Sequence, residues 1–204
     1  SHTSVSEPPG EEPQYPGFCE SPQFENSEFE CYGFTFFPFT RKMSMKSKIK
    51  SFFGPSRVYA VVGASKNTSK FGFKILSWYV SHELPVVPVN PKEPEILGQD
   101  VVPAVSTILL AISKKKDLSH HKLSAADGLS ISFLTPPEIT LRTLNEISEV
   151  PHYKSLVRGL WFQPGSYDRR VIEKTDEIGL SEITIHQDEC ILVRGDEGLN
   201  AANL

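Results

Sequence analysis

Basic residues are missing from the front of this chain. Positions 1–40 carry seven acids (Glu7, Glu11, Glu12, Glu20, Glu25, Glu28 and Glu30) and neither lysine nor arginine. A secretory signal needs a cationic start followed by an apolar stretch, so none is expected there. Long hydrophobic runs are also lacking: nothing approaches the roughly 18 apolar residues that cross a bilayer, which excludes a transmembrane helix. Cysteine is scarce. Cys19, Cys31 and Cys190 are odd in number and far apart, so no disulfide framework is expected, and a reduced, cytoplasmic setting is the plain reading. There is no C-x-x-C, and His186 with Cys190 supplies only two ligands, so no metal site is expected. A net charge of −4 gives no overall basic field, which argues against nucleic acid.

What is present falls into three parts. The acidic segment is rich in Pro, Glu and Ser and has no period of a helix or strand, so it reads as disordered. Its end, Phe34-Thr35-Phe36-Phe37-Pro38-Phe39, is strongly aromatic. Two readings of it stand: an accidental sticky tail, or a docking segment for the domain or a protein partner. Residues 41–57 reverse the charge, with six cations (Arg41, Lys42, Lys46, Lys48, Lys50 and Arg57) and no acid. The stretch from Arg41 to Lys50 reads as a solvated linker, with acidic lipid or RNA as the alternative contact. If synthesis starts at Met43 or Met45, the new N-terminus is basic and acid-free, which points to a mitochondrial location instead. The expected division is a tail over 1–50 and one domain over 51–204, within the usual size of a single domain.

From Arg57 onward the pattern alternates. Apolar, β-branched runs at 57–62, 85–89, 129–134, 157–162 and about 182–185 read as strands. Between them, Phe71, Ile75 and Tyr79 recur at helical spacing, and a helix is expected over 69–81 with Ser69 as its N-cap. Helices are also expected over 106–117, from Pro137 with proline at its first position, and over 167–178, closed by Gly179. Lys114 to Ala126 reads as an inserted polar loop or lid, and Cys190-Ile191-Leu192-Val193 as a last extended piece. Short apolar strands alternating with helices imply an α/β fold: a Rossmann-like, doubly wound parallel sheet of about five strands.

In such a sheet the ligand lies beyond the carboxyl ends of the strands, where strand order reverses. Gly63 ends the first strand, and without a Cβ it lets a ligand approach the backbone. Amides opening the next helix, with its dipole, suit a diphosphate. The full G-x-G-x-x-G is absent; Gly63 and Gly72 are the only two of its kind here. An NAD site wants a carboxylate at the tip of the second strand. This chain offers Asn90, Pro91 and Lys92, which suit a phosphorylated ribose.

The order of these pieces resembles one family. Val61-Val62-Gly63-Ala64-Ser65 with Lys70-Phe71-Gly72 is followed by Pro88-Val89-Asn90-Pro91-Lys92 and Leu97-Gly98. Then come Phe133-Leu134-Thr135-Pro136-Pro137-Glu138, Leu160-Trp161-Phe162-Gln163-Pro164-Gly165 and Asp188-Glu189-Cys190-Ile191. Together they look like the small stand-alone CoA-binding domains, relatives of the nucleotide domain of succinyl-CoA synthetase α-subunits. The resemblance implies coenzyme A or acyl-CoA as the ligand. It places Gly63, Ala64, Ser65 and Lys70 at the pyrophosphate, and Asn90, Pro91 and Lys92 by the ribose and its 3′-phosphate. It also places Thr135, Pro136 and Pro137 over the adenine or the pantetheine arm, with Phe71, Gly72 and Gln163 completing the rim.

Other chemistry is thinner. His120 and His121 sit in the Lys/Ser-rich loop and read as solvated, not as a phosphorylatable pair. Tyr153 and Tyr167 lack a lysine four residues on, so the acid–lysine pair of short-chain dehydrogenases is absent. Cys190 reads as a buried, inert thiol. The leading expectation is a binding module for a small nucleotide ligand, with no catalytic residues of its own. An NAD(P)-dependent oxidoreductase, a CoA-dependent transferase using Gln163 or Cys190, and an interaction protein with a vestigial site are the alternatives.

Overall fold

In the computed structural model, residues 42–204 are described. The acidic segment, its aromatic end at 34–39, Cys19 and Cys31 lie outside the described residues. Five parallel strands form the main sheet: β1 (Arg57–Val62), β2 (Val86–Val89), β5 (Gly128–Phe133), β6 (Val157–Phe162) and β7 (Thr184–Ile185), in the order β2-β1-β5-β6-β7. A small antiparallel pair, β3 (Glu95–Ile96) and β4 (Gln99–Asp100), lies between β2 and the next helix. The helices are α1 (Met45–Phe52), α2 (Phe71–Ser81), α3 (Val105–Ser113), α4 (Pro137–Glu149), α5 (Tyr153–Leu156), α6 (Arg169–Glu177) and α7 (Ile191–Ala202). The expected Rossmann-like, doubly wound sheet is what forms.

Both faces of the sheet are covered, so β1, β2 and β5 are buried along their whole length rather than on one side only, Ser130 and Ser132 included. Val58, Ala60 and Val62 of β1 enter one core layer with Leu129, Ile131 and Phe133 of β5. Tyr59 and Val61 enter the opposite layer with Ile75 and Tyr79 of α2 and Trp161 of β6. This is why the apolar runs alone located these strands.

Two stretches depart from expectation, and a third takes one of its two readings. The basic segment is not a solvated linker but ends in α1, capped by Ser44, whose hydroxyl accepts from the Ser47 amide at 3.2 Å. Ile49, Phe52 and Phe53 are buried, and the Lys48 ammonium donates to the carbonyl oxygens of Ser181 and Thr184 at 2.9 and 3.2 Å. Cys190 to Val193 is not extended; it opens α7. Gly195 and Gly198 are tolerated inside that helix because a Cβ there would meet Trp78 and Phe53 at 2.5 and 2.7 Å. The stretch after α3 is a loop, as the first of its two readings had it, and it packs on the β3–β4 hairpin. The Nε2–H of its His121 donates to the Asp100 carbonyl oxygen at 2.7 Å, and Leu123 is buried. It lies beside the β3–β4 hairpin and lines neither of the rim cavities described below.

Candidate functional site at the carboxyl rim of the sheet

β1, β2 and β5 end level: Val62 is in register with Val89 on one side and Phe133 on the other. The chain leaves β1 toward β2 on one side and returns to β5 on the other, so strand order reverses between β1 and β5. Gly63 stands at that reversal with φ +91°, a backbone state that side chains other than glycine's resist. A Cβ on Gly63 would lie 3.1 Å from the Thr135 amide nitrogen and 3.2 Å from the Leu134 Cβ. The turn after β1 therefore touches the turn after β5.

The loop that follows is tied internally. The Ser65 hydroxyl accepts from the Asn67 amide at 3.1 Å, and Asn67 Oδ1 accepts from the Ser69 amide at 3.0 Å. Ser69 thus serves the turn and is not the N-cap; Lys70 holds that position and its side chain caps nothing. The start of α2 consequently faces the rim without a side-chain partner, where its dipole favours an anion. Gly72 lets α2 come this close: a Cβ there would sit 2.2 Å from the Gly63 carbonyl oxygen.

The turn after β2 is held by Asn90. Its Nδ2 donates to the Ala64 carbonyl at 2.9 Å, and its Oδ1 accepts from the amides of Lys92 and Glu93 at 2.8 and 3.1 Å. Asn90 positions two loops, and both ends of its amide are occupied by protein. Lys92 is exposed beside it. Glu93, one residue on, is an acid at this turn, and Lys66 meets it at 2.7 Å.

Two cavities flank the Gly63–Leu134 contact. One, of about 190 Å³, is bounded by Gly63, Val89, Pro91 and Thr135, and on its far side by Ala104, Thr143 and Glu146. The Thr135 hydroxyl is 2.9 Å from that of Thr140, which also donates to the Thr135 carbonyl at 3.1 Å. Pro136 and Pro137 open α4 just behind. The other cavity, of about 220 Å³, is bounded by Phe71, Ile75, Leu134, Gln163, Pro164 and Cys190. Gln163 is buried, and its Oε1 accepts from the Ile191 amide at 3.0 Å, capping α7. Cys190, read as buried, is only partly so and borders this space.

The residues singled out in the sequence thus gather on one rim. Those the sequence did not mark include Ala104, Thr143 and Glu146. Glu146 Oε1 accepts from the Ser106 amide at 2.8 Å, across 40 positions, and no local pattern announces such a pair. Asp168 and Glu138 share Arg170 at 2.9 and 3.1 Å, and Asp168 caps α6 by accepting from the Val171 amide at 3.1 Å. Among the described residues, no cluster of three or more His, Cys, Asp or Glu is placed to hold a metal ion. No helix among them is long and apolar enough to cross a membrane.

The sequence model of a family described as a CoA binding domain matches residues 57–196. A conserved hypothetical protein from Pyrococcus furiosus has a solved structure that aligns at 30% identity and a TM-score of 0.51, over 68% of this chain and 98% of its own. A hypothetical protein from Pyrococcus horikoshii OT3 aligns at 23% identity and 0.56, over 77% and 93%. A protein from Thermus thermophilus aligns at 18% identity and 0.55, over 75% and 98%. The latter two likenesses show the fold alone. No curated protein matches the chain.

Proposed function

The chain belongs to the CoA-binding domain family, and we propose that it binds coenzyme A or an acyl-CoA at the carboxyl rim of its sheet, as a binding module without catalytic groups of its own. The observation that carries this reading is the contact of Gly72 with the Gly63 carbonyl at the reversal of strand order. It brings the uncapped start of α2 against a side-chain-free turn, which is what a diphosphate needs. The diphosphate lies over Gly63 to Lys70. The adenosine end lies toward the cavity bounded by Pro91 and Thr135, and Lys92 supplies charge to the ribose 3′-phosphate. Asn90 acts by holding the two loops together, since its amide is already engaged on both sides.

Titration calorimetry with CoA, dephospho-CoA and NAD tests the reading. CoA is expected to bind most tightly and dephospho-CoA about tenfold or more weakly, since a charge-assisted phosphate contact contributes roughly 1.5–3 kcal/mol. Equal affinity for CoA and dephospho-CoA removes the role of Lys92. NAD binding more tightly than CoA removes the ligand assignment.

A further inference from the structure

One polar group on this rim has no hydrogen-bond partner among the described residues. Gln163 is 1% exposed, and its amide nitrogen makes no hydrogen bond among the described residues. The orientation of that amide is fixed by its neighbour: the Ile191 N–H needs an acceptor, so the oxygen faces α7 and the NH₂ is left over. An unmet buried donor is costly unless something brings it an acceptor. Gln163 borders the cavity of about 220 Å³ between α2 and α7, and apart from Gln163 and the Cys190 thiol the side chains that line it are hydrocarbon.

The matching chemistry is an apolar group carrying one acceptor oxygen. A pantetheine arm fits poorly, because its two amides bring two donors and two acceptors to a wall with a single donor. A thioester acyl group fits: one carbonyl oxygen, otherwise hydrocarbon. The position agrees. Leu134 borders this cavity and Thr135 the other, and both press on Gly63. A ligand whose diphosphate crosses Gly63 would have its nucleoside on one side and its distal end on the other. The volume is below the about 300–1,000 Å³ of drug-sized pockets, which suits a short acyl chain.

We propose that the cavity between α2 and α7 receives the acyl group of a short-chain acyl-CoA, with the Gln163 amide donating to the thioester carbonyl. This rests on the CoA reading above and adds the class of ligand to it.

The test compares CoA with butyryl-CoA by calorimetry on the full chain. Butyryl-CoA is expected to bind about tenfold or more tightly, from the added buried hydrocarbon. Gln163→Glu keeps an acceptor for Ile191 but removes the donor. It is expected to weaken butyryl-CoA about tenfold more than it weakens CoA. Butyryl-CoA no tighter than CoA overturns the acyl site and leaves the CoA reading intact, as does an equal loss of both ligands in the variant. Failure of both ligands to bind the wild-type chain overturns the CoA reading itself. A second measurement needs no variant: alkylation of Cys190 by iodoacetamide, read by peptide mass spectrometry. Butyryl-CoA is expected to slow it more than thiol-free desulfo-CoA does; equal protection overturns the proposal.

Discussion

A methyl group on Gly72 would lie 2.2 Å from the carbonyl oxygen of Gly63, nine positions earlier in the chain. Helix α2 therefore rests directly on the turn that ends β1, backbone against backbone. Rigid main-chain atoms cannot yield as the far end of a flexible side chain can, so any side chain at position 72 must lift the helix away.

Gly72→Ala is accordingly expected to cost about 1–3 kcal/mol of stability, as overpacking does. It should also move the start of α2 off the rim and weaken CoA binding by more than the stability loss explains. Urea unfolding together with calorimetry separates the two. An unchanged CoA affinity would show that the contact serves packing alone.

Asn90→Ala cuts the bond to the Ala64 carbonyl and frees the amides of Lys92 and Glu93. Two loops then lose their common tie. CoA affinity is expected to fall about tenfold, as for loss of one or two hydrogen bonds. Asn90→Asp keeps the acceptor for Lys92 and Glu93 and is expected to fall between the wild type and the alanine variant. Identical affinities for all three chains would count against the positioning role.

Phe52 stands 1% exposed over Gly159 of β6, whose notional Cβ would meet its ring at 2.6 Å. Its ring also lies 5.3 Å from that of Trp161, edge to face. Phe52→Ala is expected to cost about 3–5 kcal/mol. Urea unfolding measures it, and a loss below about 1 kcal/mol would show that α1 is dispensable to the core.

Burial, with Lys48 and Lys42 nearby, holds the His186 imidazole below its usual 6.5. The folded state therefore takes up this proton less readily than the unfolded chain. The contribution of His186 to stability is full above pH 6.5 and is lost as pH falls from there toward the depressed folded value. The urea midpoint should drop more between pH 7.5 and 5.5 in the wild type than in His186→Gln. Parallel profiles would rule out this assignment.

The strands were legible because parallel strands covered on both faces leave an unbroken apolar run, as in Val58 to Val62. The rim residues Gly63, Asn90 and Thr135 were legible because each closes such a run. Helix α1 was hidden by its charge. Lys46, Lys48 and Lys50 suggest a solvated segment, yet the Lys48 ammonium ends on two backbone carbonyls beside β7, more than 130 positions away. Helix α7 was hidden by Gly195 and Gly198, which weaken a helix in isolation. They are favourable here because Trp78 and Phe53 occupy the space their side chains would fill.

By itself the sequence determined the layered sheet, the glycine turn and the loops that meet beyond it, because burial imposes a period that neighbouring residues carry. Only the tertiary structure decided which groups on that rim are already engaged and which are not. Asn90 is engaged by Ala64, and Gln163 keeps a nitrogen unmet beside α7. The reason is physical: a hydrogen bond between distant positions depends on how strands are ordered and helices seated, and no local run of residues encodes that distance.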